Sequence, residues 1–383
     1  MTMVKLLTII GARPQIIKAA AVSRAVKKNY SGQVEEKILH TGQHYDANMS
    51  EVFFAELGIP HPDYNLGVGS GRHGEQTAKM IEGIERVLLG ERFDGVVLYG
   101  DTNSTLAGAV AASKIHVPVF HIEAGLRSFN MAMPEEINRI VCDQLSSLLF
   151  PPTETGYRNL MNEGFGRSHA TFKNGCGRQV FNCGDVMYDN SMYFSRMAES
   201  RSGILSRLGL EKEGYILSTI HRDNNTDNPG RLTAIFEALL EIGEKNNIKA
   251  VLPLHPRTSK LLPLNLDSAV YDRLRRSDFV KLIPPASFFE IIVLEKNAHI
   301  VMTDSGGVQK EAFFFKRPCV ILRPETEWVE IVEYGAGIVA DADKNRIVSA
   351  YDTLVGTNPS FPPLFGDGRA AERILGKILE YLD

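Results

Sequence analysis

The chain has 383 residues, enough for two or three domains at roughly 150 residues each. Its 44% hydrophobic and 23% charged residues are ordinary globular values and exclude the disordered, collagenous and disulfide-scaffold classes. The 42 Lys and Arg against 46 Asp and Glu leave a net charge of −4, so no general positive field gathers nucleic acid or anionic lipid, and an anionic ligand must be met by local groups.

In chain order, the first third alternates short apolar β-rich runs with helical patterns. Lys5 to Ile10 reads as a strand before a helix at Ile16 to Lys27, and Glu36 to His40 as a strand before a helix at Met49 to Leu57. The rhythm repeats in Gly95 to Tyr99, Thr105 to Ile115 and Val117 to Glu123. Such alternation predicts a parallel sheet with helices on both faces, and continuously apolar strands such as Val96 to Tyr99 fit burial on both sides. A second series follows: strands at Tyr215 to Thr219, Lys249 to Leu254, His299 to Thr303 and Cys319 to Leu322, with helices at Gly230 to Asn246, Phe288 to Lys296 and Val308 to Phe315. Between the series, Lys173 to Asp185 has weak periodicity and reads as the linker. A closing helix, Arg369 to Leu382, carries an apolar stripe at Ile374, Leu375, Ile378 and Leu379. The expected class is therefore α/β, two Rossmann-like doubly wound domains. Residues 1–179 form the first, 180–366 the second, and the 367–383 helix packs back on the first.

Cys142, Cys176, Cys183 and Cys319 form no C-x-x-C pair and read as buried thiols, without zinc or redox chemistry. The N-terminus lacks a signal-peptide pattern and no long uncharged apolar window exists, so the expectation is a cytoplasmic protein without a membrane span.

Open α/β sheets bind ligands beyond the carboxyl ends of their strands, and two such halves facing each other would enclose a cleft. The residues at those ends carry the chemistry. Gly11-Ala12-Arg13-Pro14-Gln15, with Lys18 one turn on, combines a tight turn, helix N–H groups and two cations, which suits an anion. Asp101 follows one strand and Glu123 the next, while Glu135 and Glu136 open a Pro-started helix. Each acid also fits a plain capping role. Together, closely spaced carboxylates perturb one another's protonation, a device of general acid and base work. In the second half His221-Arg222 leaves a strand, and Thr303-Asp304-Ser305-Gly306-Gly307 opens a helix that carries Glu311. Paired glycines there let a diphosphate approach the backbone, and a carboxylate one turn on suits ribose hydroxyls. Arg323 and Glu325 to Trp328 close the next strand.

These motifs, with His40-Thr-Gly-Gln-His44, His121-Ile-Glu-Ala-Gly-Leu-Arg127, Pro134-Glu-Glu-Ile-Asn-Arg139, Gly366-Asp-Gly368 and Glu372-Arg373, run in order over nearly the whole chain. They resemble the non-hydrolysing UDP-N-acetylglucosamine 2-epimerase family, of the glycosyltransferase-B architecture. The resemblance implies inversion at C2 of a UDP-2-acetamido sugar by elimination of UDP to a 2-acetamidoglucal and re-addition, with no cofactor or metal, in a homodimer. It implies Asp101, Glu123 and Glu135 as catalytic carboxylates and His221 as the catalytic group at the diphosphate. Arg13, Lys18, Arg222, Ser305 and Gly306 would bind substrate, and Glu311 the ribose. Gln43, Arg72, Glu136, Arg222 and His255 match a candidate activator site, but Asp46 and Asp223-Asn224 depart from its pattern. Ser128-Phe129-Asn130, Met133-Pro134 and Glu325 to Glu330 look more like the branch acting on UDP-2,3-diacetamido-2,3-dideoxyglucuronate. A hydrolysing epimerase, a glycosyltransferase of the same fold and a nucleotide-sugar sensor are the alternatives.

Overall fold

The computed structural model describes residues 3–43, 58–167 and 177–383. The expected helix at 49–57, His44, Asp46 and Cys176 lie outside these residues. The chain clusters into two units, one of residues 1–190 with 363–383 and one of 191–362.

The first unit is built on a seven-stranded parallel sheet in the order β3-β2-β1-β4-β5-β6-β7. Its strands are β1 (Val4–Ile10), β2 (Val34–His40), β3 (Tyr64–Asn65), β4 (Gly95–Tyr99), β5 (Val119–Ile122), β6 (Leu148–Phe150) and β7 (Gln179–Val180). The order reverses direction at β1, so the ends of β1 and β4 lie at a topological switch point, where open sheets bind ligands. All five residues of β4 are buried, in keeping with its continuously apolar sequence. One face carries Leu7, Ile9, Val96 and Leu98 against Met80, Ile84 and a run of alanines from the helix Asn103–Lys114. Those alanines let this helix lie close to the sheet, which fixes the height of its N-terminus above the strand ends.

The expected linker at 173–185 contains β7, paired with β6 through Leu148–Gln179 and Leu149–Val180. A boundary at 179/180 therefore falls inside a strand, and the chain leaves the first unit after residue 190, within the helix Val186–Arg201. Two-residue strands carry no periodicity, which is why β3 and β7 have no signature. The terminal helix Ala370–Leu382 belongs to the first unit. Ile374, Leu375 and Ile378 are fully buried as expected, and Tyr381 meets Phe120 edge to face at 5.8 Å. Asp189 caps it, accepting the Ala370 and Ala371 N–H groups at 3.1 and 2.8 Å.

The second unit has a six-stranded parallel sheet, β10-β9-β8-β11-β12-β13. These are β8 (Tyr215–Thr219), β9 (Lys249–Pro253), β10 (Val280–Ile283), β11 (Ile300–Thr303), β12 (Cys319–Ile321) and β13 (Gly337–Val339). Its core packs Ile216, Leu252, Ile300 and Met302 against Leu232, Phe236, Leu239 and Leu240 of the helix Pro229–Asn246. The switch point lies at β8 and β11, whose last residues, Thr219 and Thr303, share a 2.6 Å hydroxyl hydrogen bond. Among the described residues no helix is long and apolar enough to cross a membrane.

Asp189→Ala should leave two first-turn N–H groups without their carboxylate and cost about 1–2 kcal/mol. Urea unfolding at pH 7 checks this; an unchanged midpoint would mean that the terminal helix does not depend on this cap.

Candidate active site

At the end of β1 the backbone turns where sequence suggested an anion pocket, but the turn is filled by the protein. Buried Gln15 accepts the Gly11 and Ala12 N–H groups at 2.9 and 3.1 Å. Its own amide donates to the Tyr99 carbonyl and Thr105 Oγ1, each at 3.0 Å. Glycine is required at position 11 by packing, because a Cβ there would come within 2.1 Å of Ser104 Oγ and 2.2 Å of Thr41 Oγ1. The groups of this turn left to meet an anion are thus the two cationic side chains, and they differ. Arg13 is exposed, whereas Lys18 is nearly buried and ion-paired with Glu123.

Register places Tyr99 of β4 beside Ile122 of β5, so Asp101 and Glu123 leave adjacent strands. Gly100 has φ +61°, and a Cβ there would stand 3.1 Å from Lys18 Nζ and 3.2 Å from Glu123 Oε2. Glycine is needed both for the left-handed turn and for room beside the ion pair. Glu123 itself has φ +70°, an uncommon conformation for a residue with a side chain. Backbone strain of this sort is held only where surroundings over-determine it. Here β6 supplies the hold, with Phe150 O accepting the Glu123 N–H at 3.0 Å.

Beneath these loops lies His121, wholly buried on β5. Its Nδ1 is 2.7 Å from Asp143 Oδ1 and its Nε2 2.8 Å from the Gly100 carbonyl. Both partners are acceptors, so both ring nitrogens carry protons and the imidazole is cationic. Burial opposes that charge, but the Cys142 sulfur and the Asp143 carboxylate outweigh it and raise the pKa well above its usual value. Asp143 also accepts the Gly125 N–H at 3.1 Å and pairs with Arg127 at 2.8 Å. Sequence reasoning gave His121 and Asp143 no role, since a single His in an apolar strand carries no signal of its partner 22 residues later.

Asp101 is ion-paired with Arg139, whose other terminal nitrogen reaches Glu136 Oε2 at 2.7 Å. Glu136 is buried, and its oxygens also accept from Ser128 N, Ser128 Oγ and Phe129 N at 3.0, 3.0 and 2.9 Å. Any second nucleotide sugar would have to displace these donors to use Glu136. Glu135, one residue earlier, is exposed. Gln43 accepts from Ser104 N and Oγ at 3.2 and 2.7 Å, and Arg72 is exposed at the start of the helix His73–Gly90.

In the second unit the organising group is Asp304, fully buried after β11. It accepts the His221 N–H on both oxygens at 3.1 Å, the Arg222 N–H at 3.0 Å and the Asn225 amide at 3.1 Å. It also stands 3.2 Å from His221 Nδ1, which holds the proton on Nδ1 and leaves Nε2 as the outward-facing nitrogen. Burial pushes the His221 pKa below its usual value; Asp304 opposes this, and the Arg222 and His255 charges add to it. Within its motif Asp304 carries no sign of these partners, which lie 79 to 83 residues earlier in the chain.

Ser305 caps the helix Gly306–Phe314 by accepting the Val308 N–H at 3.5 Å. Neither following glycine is at positive φ. A Cβ on Gly306 would meet nothing closer than Glu327 Oε2 at 3.5 Å, and on Gly307 nothing closer than Ser305 Oγ at 3.8 Å. Packing therefore does not require glycine at either position, and the backbone of this helix start is left open. Beside Gly306 lie Trp328 and the Arg323–Glu327 fork, paired at 2.9 and 3.0 Å. Glu311 sits one turn further, half-buried. His255, exposed, caps the helix Pro256–Asn265 by accepting the Arg257 N–H at 3.3 Å. Among the described residues no group of three or more His, Cys, Asp or Glu side chains is placed to hold a metal ion.

This arrangement can be compared with known proteins. The family model for UDP-N-acetylglucosamine 2-epimerase matches residues 25–379. The chain belongs to this family. It is 50% identical over 379 residues, 99% of each chain, to the UDP-2,3-diacetamido-2,3-dideoxy-D-glucuronate 2-epimerase of Pseudomonas aeruginosa. The crystal structure of Methanocaldococcus jannaschii UDP-GlcNAc 2-epimerase in complex with UDP-GlcNAc and UDP is 42% identical with a TM-score of 0.82, covering 98% of this chain and 99% of that one. The Neisseria meningitidis UDP-GlcNAc 2-epimerase bound to UDP-GlcNAc, at 26% identity, has a TM-score of 0.81 and covers 98% of this chain and 100% of that one. The two parallel-sheet α/β units expected from the sequence are thus those of an epimerase of glycosyltransferase-B architecture.

Two outcomes follow from the geometry. Gly100→Ala should destabilise the epimerase by about 1–2 kcal/mol through the left-handed turn alone, measured by denaturant unfolding; an unchanged midpoint would show that residue 100 can leave that conformation freely. By nitrogen-15 NMR, His221 should titrate below 6.5 and lower still in Asp304→Asn, because the lost carboxylate charge favoured the cation. A rise in that variant would contradict the dyad.

Proposed function

We propose that this protein inverts C2 of a UDP-2-acetamido sugar, taking UDP-N-acetylglucosamine to the manno form through a 2-acetamidoglucal. The observation that carries the reading is the pair of strand-end carboxylates, Asp101 and Glu123, each held to one cation on neighbouring parallel strands. The C2 hydrogen of the sugar is not acidified by a carbonyl, so direct abstraction is very slow. Elimination lowers the demand: a base takes the C2 proton, the C1–O bond breaks, and UDP departs with the electron pair. Re-addition of UDP with protonation on the opposite face gives the 2-epimer. Asp101, Glu123 and exposed Glu135 would share the proton transfers, worth typically 10²–10⁴-fold.

The departing diphosphate needs positive potential aimed at it. In the second unit Ser305 and Gly306 at a helix start, with His221 and Arg222, would supply it, and Glu311 would hold the ribose; in the first unit Arg13 and Lys18 are the cations suited to the substrate. His221, largely neutral at pH 7 when nothing is bound, would take up a proton as the diphosphate arrives, because an adjacent anion favours the charged imidazole. A homodimeric, cytoplasmic enzyme completes this reading.

A second substrate is favoured by the 50% identity to an epimerase named for a UDP-2,3-diacetamido-uronate. The same elimination serves it, since the 3-acetamido and carboxylate groups do not take part in bond breaking. The deciding experiment incubates the protein in deuterium oxide with a panel of UDP sugars that includes both candidates. Proton NMR should show C2 deuteration and a manno product with one of them, falling at least about 100-fold in Glu123→Gln. No exchange with any panel member would defeat the epimerase reading. Free 2-epimer in place of the UDP-linked product would indicate the hydrolysing variant, and transfer to an acceptor with Glu123→Gln still active would indicate a glycosyltransferase.

A further inference from the structure

The segment between β5 and the helix Pro134–Leu145 has features that the reaction as described leaves unexplained. Phe129 has φ +58°, a genuine outlier for a bulky residue, and its side chain is 80% exposed. Met131 is 60% and Ile137 44% exposed beside it in sequence. An aromatic ring turned to solvent on strained backbone gains nothing for folding: the strain costs stability and the ring buries little area.

The strain is nevertheless held firmly. Phe129 N and Ser128 N both donate to Glu136, which is only 1% exposed. Asn130 N donates to Ser128 Oγ at 3.3 Å, and Ala132 N to Asn130 Oδ1 at 3.1 Å. Glu136 in turn is gripped by Arg139, and the same guanidinium holds Asp101. Loop and carboxylate are thus mounted on one buried fork, so the position of Phe129 is tied to that of Asp101 through two ionic contacts. Strain persists where it serves a site, and three exposed apolar side chains close in sequence, Phe129, Met131 and Ile137, are more than a singly exposed residue and suit a binding surface.

We propose that Phe129 is a substrate-holding residue whose ring covers the 2-acetamido sugar of the bound nucleotide sugar and keeps the eliminated glycal in place, on a loop positioned by the Glu136–Arg139 fork that also orients Asp101. The inference rests on the epimerase reading above. A ring over the sugar excludes water from the intermediate, which would otherwise be lost with UDP before re-addition. Arg139 and Glu136 are positioning residues in this scheme: they act through Asp101 and the loop. UDP by itself lacks the 2-acetamido hexose that the ring would cover, and this separates the ring's contribution from nucleotide binding.

The test compares Phe129→Gly and Phe129→Asn with the wild type. Both replacements tolerate a left-handed backbone, so the loop keeps its shape while the ring is removed. Phe129→Tyr keeps the ring and serves as the conservative control. With the UDP sugar that shows C2 exchange, KM should rise about five- to tenfold in the Gly and Asn variants. Glycal and UDP released per turnover should rise several-fold, while UDP affinity measured by calorimetry stays unchanged and the Tyr variant behaves as wild type. Unaltered KM and glycal release in both ring-less variants would overturn the proposal, as would a parallel loss of UDP affinity. Absence of C2 exchange in the wild type would instead overturn the epimerase reading and this inference with it.

Discussion

A doubly protonated imidazole in the centre of the first unit holds its strand ends together. His121 donates to Asp143 on one side and to the Gly100 carbonyl on the other, so the loop after β4 and the helix Pro134–Leu145 are tied to β5 by one ring. A buried charge is tolerated only with complete partners, and the completion extends outward: Asp143 takes Arg127, and Arg127 takes Glu163 at 2.7 Å. The strand-end charges stand one step from this network. Asp101 follows the carbonyl that His121 holds, Glu123 follows the strand that carries it, and Arg139 lies one turn before Asp143 on the same helix.

The second unit solves the same problem with the opposite charge. Asp304 is a fully buried carboxylate that gathers four donors and thereby shapes the turn bearing His221 and Arg222. In both units the organiser is buried and satisfied, while the groups suited to chemistry stand at the margin, exposed or half-buried. This division has a physical basis. A group that reacts must change its protonation or its partners, which a saturated buried ion cannot do at tolerable cost, whereas a saturated ion is the most rigid support for its neighbours.

Some assignments made from residue types change in meaning when the contacts are known. Gly11 reads as the tight turn of an anion site, yet its hydrogen is demanded by Ser104 and Thr41. Gly306 and Gly307 have no such demand from the protein, so they keep the ligand-facing interpretation that Gly11 loses. Lys18 looked like a phosphate ligand and is engaged by Glu123. Glu136, adjacent to exposed Glu135 in sequence, is buried, because helix periodicity turns consecutive residues about 100° apart and only one of the two can face the Ser128 loop.

The sequence by itself determined the α/β class, the strands β1, β2, β4, β5, β8, β9, β11 and β12, and the strand-end motifs that mark the family. Those depend on local periodicity and on residue types at fixed spacing, which are written along the chain. The tertiary structure decided which charges pair: His121 with Asp143, Arg139 with both Asp101 and Glu136, Asp304 with the His221 turn. It also decided that β7 lies where a linker was expected and that Phe129 is held at positive φ. These are contacts between residues distant in sequence, set by sheet order and helix packing, and no window along the chain contains both partners.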